Sequence, residues 1–238
     1  MPIVNSRVGF QSSTATDVQD ANTRPVTEAI KVAVVEDDER MREALIFQLG
    51  TAGFQVAAYP SAEGFFEASA TKEFDCVVAD IYLARMNGLQ LQEELNRTAS
   101  YAAIVFITGR GDLSIGVHAM RAGAVDVLEK PLDDEVLLTA IKRGVRRSRT
   151  GRAEHAQRLD LERRFSSLPA RQREVFTLIT AGLLNKQVGA ELGISERTVK
   201  VHRERLRRKM GADSPAELAR MAGVLQIHPV RASSARSE

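Results

Sequence analysis

Between Ile30 and about Arg147, short apolar runs alternate with stretches whose apolar positions recur every three or four residues. The runs Lys31–Val35, Cys76–Ala79 and Ile104–Thr108 are rich in β-branched residues, the mark of buried strands. Gln55–Ala58 and Val125–Glu129 carry a weaker form of the same pattern. Helical periodicity fills the gaps, over Arg40–Gly50, Ala62–Ala70, Leu89–Leu95, Leu113–Ala122 and Asp134–Arg147. Strand-then-helix units repeated five times predict an α/β fold built on a doubly wound, five-stranded parallel sheet. Ligands of such sheets sit outside the carboxyl ends of the strands, so chemistry is expected there.

After Arg147 the pattern changes. The chain turns polar and basic, Gly151 interrupts, and Leu161, Phe165 and Leu168 recur at helical spacing. This predicts a helical linker over 148–167 with one apolar stripe. From Leu168 to about Ile227 the pattern predicts four short helices and no strand, an all-α second domain. Residues 1–29 are rich in Ser, Thr, Asn and Gln without periodicity, and 228–238 are similar; both are expected to be disordered.

Composition adds a division of labour. The net charge of the 238 residues is only +2, but from Gly144 onward 20 Lys and Arg stand against 10 Asp and Glu. The preceding part has 13 against 21. The basic part suits a polyanion, and the acidic part suits a cation. No stretch approaches the ~18–20 apolar residues of a membrane span, and no secretory signal opens the chain. The single Cys76 lies in an apolar run and reads as a small core residue. A cytoplasmic location is expected on these grounds. His118, His155, His202 and His228 lack metal-ligand spacing, so no zinc site is expected.

At the strand ends the sequence places Glu36 and Asp37, then Asp80, then Thr108, then Lys130 followed by Pro131. One acid at a strand end commonly just caps the next helix. Three acids, a hydroxyl and a lysine in this order on one edge are harder to explain that way. Clustered carboxylates repel unless a cation sits among them, and hard oxygen ligands suit Mg²⁺. An aspartate carboxylate can attack a phosphoryl group and hold it as an acyl phosphate. The metal and Lys130 would then neutralise charge, while Thr108 hydrogen-bonds a phosphoryl oxygen.

The stretch Val34, Val35, Glu36, Asp37, Asp38, with Asp80, Gly88, Thr108, Lys130 and Pro131, resembles the CheY-like receiver domain over about Ile30–Arg147. The resemblance implies phosphorylation of Asp80 by a sensor histidine kinase. It also implies Mg²⁺ held by Asp37, Asp80 and the main-chain carbonyl of Tyr82, with Glu36 acting through water. Three positions depart from the pattern. Ala84 replaces a common proline, Gly109 replaces alanine, and Val127 replaces the aromatic that usually moves with the threonine.

In the basic part, Gly193 ends a helix over about Lys186–Leu192, and Ser195 caps the next, over about Glu196–Met210. Two helices joined by so short a turn form a helix-turn-helix. On the second, Val199, Leu206 and Met210 mark a buried side. Arg197, Lys200, Val201, Glu204 and Arg208 mark another, free to enter a major groove. Lys200 suits guanine, Glu204 a cytosine amino group and Val201 a thymine methyl. Lys186, Thr198, Arg203 and Arg207 suit phosphate contacts. The residues Leu168–Val175, Gly182–Lys186 and Thr198–His202 resemble the LuxR/FixJ-type DNA-binding domain.

Receiver plus this domain resembles the NarL/FixJ class of response regulators, most like its FixJ branch. That implies a transcription factor rather than an enzyme, commonly an activator. Its partners would be promoter DNA, RNA polymerase and, on activation, a second copy of the chain, the last helix (about Pro215–Leu225) supporting dimerisation. Two alternatives stay open: a receiver serving as a phosphorylation-independent dimerisation module, which Val127 favours, and an aspartate-dependent phosphatase. The second needs an acid two residues beyond Asp80, where Tyr82 stands.

Overall fold

A computed structural model describes residues 29–69, 73–109 and 113–227. The segments expected to be disordered lie outside these residues, Ala29 excepted. The first domain alternates β1 (Lys31–Val35), α1 (Glu39–Thr51), β2 (Gln55–Tyr59), α2 (Ala62–Ser69), β3 (Cys76–Asp80), α3 (Gly88–Arg97), β4 (Ala103–Thr108), α4 (Leu113–Arg121) and β5 (Asp126–Glu129). All five strands are parallel, in the order β2-β1-β3-β4-β5. Because successive side chains on a strand point to opposite faces, each strand feeds two cores. Val32, Val34, Cys76, Val78, Val105 and Ile107 pack with Leu45 and Leu49 of α1. Ala33, Val35, Val77, Ala79, Ile104 and Phe106 pack against α2, α3 and α4 through Phe65, Leu91 and Ala119. The central strands β3 and β4 are buried at every position, which is why their apolar runs are continuous. Cys76 is fully buried, and desolvation pushes its thiol up to about 12, where it is inert.

The sheet face covered by α1 and the second domain are joined by an element the sequence pattern splits in two. A helical segment ending near Arg147 and a separate linker were expected; instead α5 runs unbroken from Asp134 to Ser166. Gly151 does not interrupt it. A mid-helix glycine costs about 1 kcal/mol relative to alanine, which packing readily overrides. Here the missing side chain makes room for Tyr101, whose ring would lie 3.1 Å from a Cβ at Gly151.

The C-terminal domain consists of α6 (Ala170–Thr180), α7 (Asn185–Leu192), α8 (Glu196–Met210) and α9 (Pro215–Val224). Val175, Phe176, Val188, Val199, Leu206, Met210 and Leu218 share one core, closed by Leu161 from the end of α5. No helix among the described residues is long and apolar enough to cross a membrane.

Candidate functional site

The strand registry brings the acidic edge together. Val35 pairs with Tyr59 and Ala79, Asp80 with Ile107, and Thr108 with Glu129, so the residues after each strand emerge side by side. One oxygen each from Glu36, Asp37 and Asp80 lies within 4.8 Å of the others. Lys130 Nζ reaches into the cluster, donating to Asp80 Oδ2 at 2.6 Å and Glu36 Oε2 at 3.0 Å. The Lys130 main chain is fixed by its N–H, which donates to the Thr108 carbonyl at 2.8 Å, and the following bond to Pro131 is cis. Asp80 Oδ1 accepts from the Tyr82 main-chain N–H at 2.9 Å.

Burial differs sharply within the cluster. Glu36, Asp80 and Thr108 are buried, whereas Asp37 is exposed and Tyr82 about half exposed. Desolvation raises the Glu36 carboxyl above its usual range; the hydrogen bond from Lys130 works against this and the nearby Asp80 charge adds to it. For Lys130, burial disfavours the ammonium, but bonds to Asp80 and Glu36 prevail and hold its pKa above the ordinary lysine value. A site that needs an ammonium ion to hold two carboxylates is one in which a hard divalent cation fits.

The loop after Asp80 lacks the common proline at Ala84, yet it is pinned at several points. Gly88 N donates to the Ile81 carbonyl at 2.9 Å, and Met86 N donates to Glu63 Oε1 at 3.2 Å. A Cβ at Gly88 would lie 2.6 Å from the Asp80 carbonyl oxygen, so only glycine allows α3 to start this close to the pocket. Val127, where an aromatic was missed, is half-buried in the core shared with α4.

The second site is a surface. Ser195 caps α8 by accepting from Thr198 N at 3.1 Å, and Gly193 ends α7 in the left-handed region. Gly189 makes the turn between the helices possible, since a Cβ there would stand 2.7 Å from the Ile194 carbonyl. This residue was missed by sequence reasoning; its one signal was a glycine inside a helical pattern. Along α8, Arg197, Lys200, Val201, Glu204 and Arg208 are all exposed, on the side away from Val199, Leu206 and Met210. Lys186 of α7 is exposed as well.

The other expected phosphate contacts have partners inside the protein. Arg203 is half-buried and hydrogen-bonded to Asn185 Oδ1, which ties α8 to the start of α7. The Thr198 hydroxyl lies 2.8 Å from that of Ser195. Arg207 pairs with Glu204 at 3.6 Å and donates to the Asp213 carbonyl. Glu204 also pairs with Arg208 at 3.7 Å, and Lys200 with Glu196 at 3.7 Å.

Comparison with known proteins agrees with both domains. Residues 32–142 match the family model of the response regulator receiver domain, and residues 166–222 that of the bacterial regulatory proteins of the luxR family. The chain is 38% identical over 203 residues to the transcriptional regulatory protein FixJ of Azorhizobium caulinodans, covering 85% of this chain and 96% of that protein. It is 40% identical over 209 residues to nodulation protein W of Bradyrhizobium diazoefficiens, covering 88% and 92% respectively. Among solved structures, the response regulator StyR superimposes with a TM-score of 0.72 at 39% identity, over 82% of this chain and 98% of that one. Full-length FixJ from B. japonicum gives 0.52 at 36% identity, over 82% and 97%. The fold and the paired domains therefore define a response regulator whose second domain is of a DNA-binding type. The chain belongs to the FixJ-like transcriptional regulators, which carry a receiver and a LuxR-type DNA-binding domain.

Proposed function

We propose that Asp80 is the phosphoacceptor of this regulator and that its modification controls DNA binding through α8. The observation that carries this reading is Lys130 Nζ bridging the buried Asp80 and Glu36 at the carboxyl edge of the sheet. A phosphohistidine on the sensor kinase supplies the phosphoryl group. An Asp80 carboxylate oxygen bonds to phosphorus, the P–N bond breaks, and the imidazole leaves with the electron pair. Asp37, Asp80 and the Tyr82 carbonyl would hold Mg²⁺, with Glu36 behind them; bound there, the ion neutralises charge on the transferring group. Lys130 then pairs with the phosphoryl oxygens, and Thr108 donates to one of them.

On the DNA side, α8 enters the major groove with Arg197, Lys200, Val201, Glu204 and Arg208 facing the bases. Lys186, Thr198, Arg203 and Arg207 flank it towards the phosphates. Two copies present two such helices to two half-sites, and avidity raises affinity without any new contact. Recruitment of RNA polymerase at the bound promoter completes an activator.

The test is incubation with acetyl phosphate and Mg²⁺, followed by intact-mass measurement and DNA binding. One phosphoryl group is expected on the wild-type chain, none on Asp80→Asn, and tighter DNA binding only in the first. Undiminished incorporation in Asp80→Asn would sink the assignment. The small Val127 at the switch position favours a second reading, a receiver that dimerises without phosphorylation. DNA binding that is equally tight before and after incorporation would support it.

A further inference from the structure

We propose that α5 is a rigid strut, clamped to the receiver at one end and to the DNA-recognition helix at the other, which sets the rotational position of α8. The inference rests on the reading that Asp80 phosphorylation controls DNA binding.

The strut starts at the pocket. Asp133, its N-cap, accepts from Val136 N and lies three residues beyond Lys130. The first half is bedded in the receiver core through Leu137, Ala140, Ile141 and Val145. Past the point where that core ends, a second set of contacts continues. Asp75, buried immediately before β3, accepts from Arg149 and Arg152 of α5 and from the main-chain N–H of Lys31 on β1. Arg152 also holds Ser148 at 3.0 Å. The hydrogen bonds and ion pairs keep the Asp75 carboxyl below its usual range even though burial opposes them. Another contact comes from the loop before β4. Tyr101 packs on Gly151 and against the His155 ring, with centroids 5.4 Å apart.

The far end is fixed as firmly. Leu161 and Phe165 belong to the core of the DNA-binding domain. Arg164 donates to the carbonyl of Met210, the last residue of α8, at 2.9 Å. Gly211 follows, and a Cβ there would lie 2.6 Å from the Arg164 guanidinium. Lys209 of α8 donates to the Ser167 carbonyl. Both ends of the helix are thus joined to structure, and the recognition helix is held by its C-terminus.

Between the clamps, residues 153–159 are exposed at every position. The tertiary contact described for this two-turn stretch is that of His155 with Tyr101, near its start, and Arg158–Glu162 and Arg164–Asp160 pairs at i,i+4 spacing support the turns that follow it. An isolated helix so short would be marginal in water; one continuous with packed turns on both sides pays no nucleation cost. A helix of 33 residues is about 50 Å long and resists twisting, so a change of orientation at the pocket end reaches α8 as rotation.

The test inserts alanines between Ala156 and Gln157 in the full chain. Two residues turn the distal domain by about 200° and seven by about −20° relative to whole turns. The readout is the fold-gain in affinity for a genomic fragment bound by the phosphorylated chain, with acetyl phosphate and Mg²⁺ as the phosphodonor. A strut predicts loss of that gain with two residues and its retention with seven. Arg149→Ala combined with Arg152→Ala should also lose it, while incorporation into Asp80 and binding by the unphosphorylated chain stay unchanged. Equal gains in both insertions, or loss in both, overturn the strut. Amide exchange in 153–159 supplies a readout independent of phosphorylation: slow exchange is expected, and exchange as fast as an unstructured tether would overturn it. If the unaltered chain shows no gain at all, the phosphorylation reading has failed instead.

Discussion

The receiver pocket and the recognition face both gather charged side chains of opposite sign, but in different surroundings. In the pocket, Glu36, Asp80 and Lys130 come from three strand ends, and the two acids are buried. On α8, Glu196, Lys200, Glu204, Arg207 and Arg208 come from one helix, and their pairs are longer and largely exposed. Buried charges depend on one another, because each loses its water to the fold. Exposed ones keep their water and stay available to a ligand. The first arrangement suits a site that answers to one added charge; the second suits a surface that exchanges its internal partners for DNA.

Removing Lys130 should break this contrast most visibly. Lys130→Ala leaves Glu36 and Asp80 facing each other with no cation. Losing one partner of a fully buried pair costs ~3–5 kcal/mol; with the Lys130 side chain 30% exposed, about 2 kcal/mol is expected. Urea unfolding of the receiver transition measures it. Mg²⁺ should raise the midpoint of the variant more than that of the wild-type chain, since the ion takes the place of the ammonium. A variant as stable as wild type without Mg²⁺ would mean that the pocket does not depend on its lysine.

How far each region could be read from sequence follows from the same difference. The strands β1, β3 and β4 are apolar because both their faces are covered, so they stand out. The edge strand β2 is half-exposed and its pattern is correspondingly weak. The pocket residues were legible once strand ends were aligned, because a parallel sheet places those ends together whatever the loops do. The recognition face was legible from periodicity within a single helix. What periodicity could not show were contacts between distant positions. Asp75 and Arg152 are 77 residues apart, Arg164 and Met210 46, Asn185 and Arg203 18. The unbroken α5 depends on the first two of these, so its polar middle with Gly151 reads as a break when only neighbours are considered.

On the recognition face, Lys200→Ala should cost less stability and more selectivity. Lys200 is largely exposed and its pair with Glu196 is 3.7 Å long, so folding should change by less than ~0.5 kcal/mol. Binding to the preferred site should weaken by about 1–3 kcal/mol, with a smaller loss on unrelated DNA. Competition between the two fragments measures the difference. Equal weakening on both would move Lys200 from base reading to phosphate contact.

The smallest expected effect is also the most discriminating. Glu204 lies between Arg207 and Arg208 and occupies both guanidinium groups before DNA arrives. Two roles compete for it: accepting from a cytosine amino group, or restraining the two arginines from indiscriminate phosphate binding. Glu204→Gln separates them, because it removes charge and keeps the shape. If restraint dominates, affinity for unrelated DNA rises a few-fold and the plot of log affinity against log salt steepens by about one. If base reading dominates, preference falls at a single base pair and the salt slope hardly moves. The exposed, mutually paired geometry favours the first outcome, since a carboxylate already shared by two guanidinium groups must give them up to reach a base.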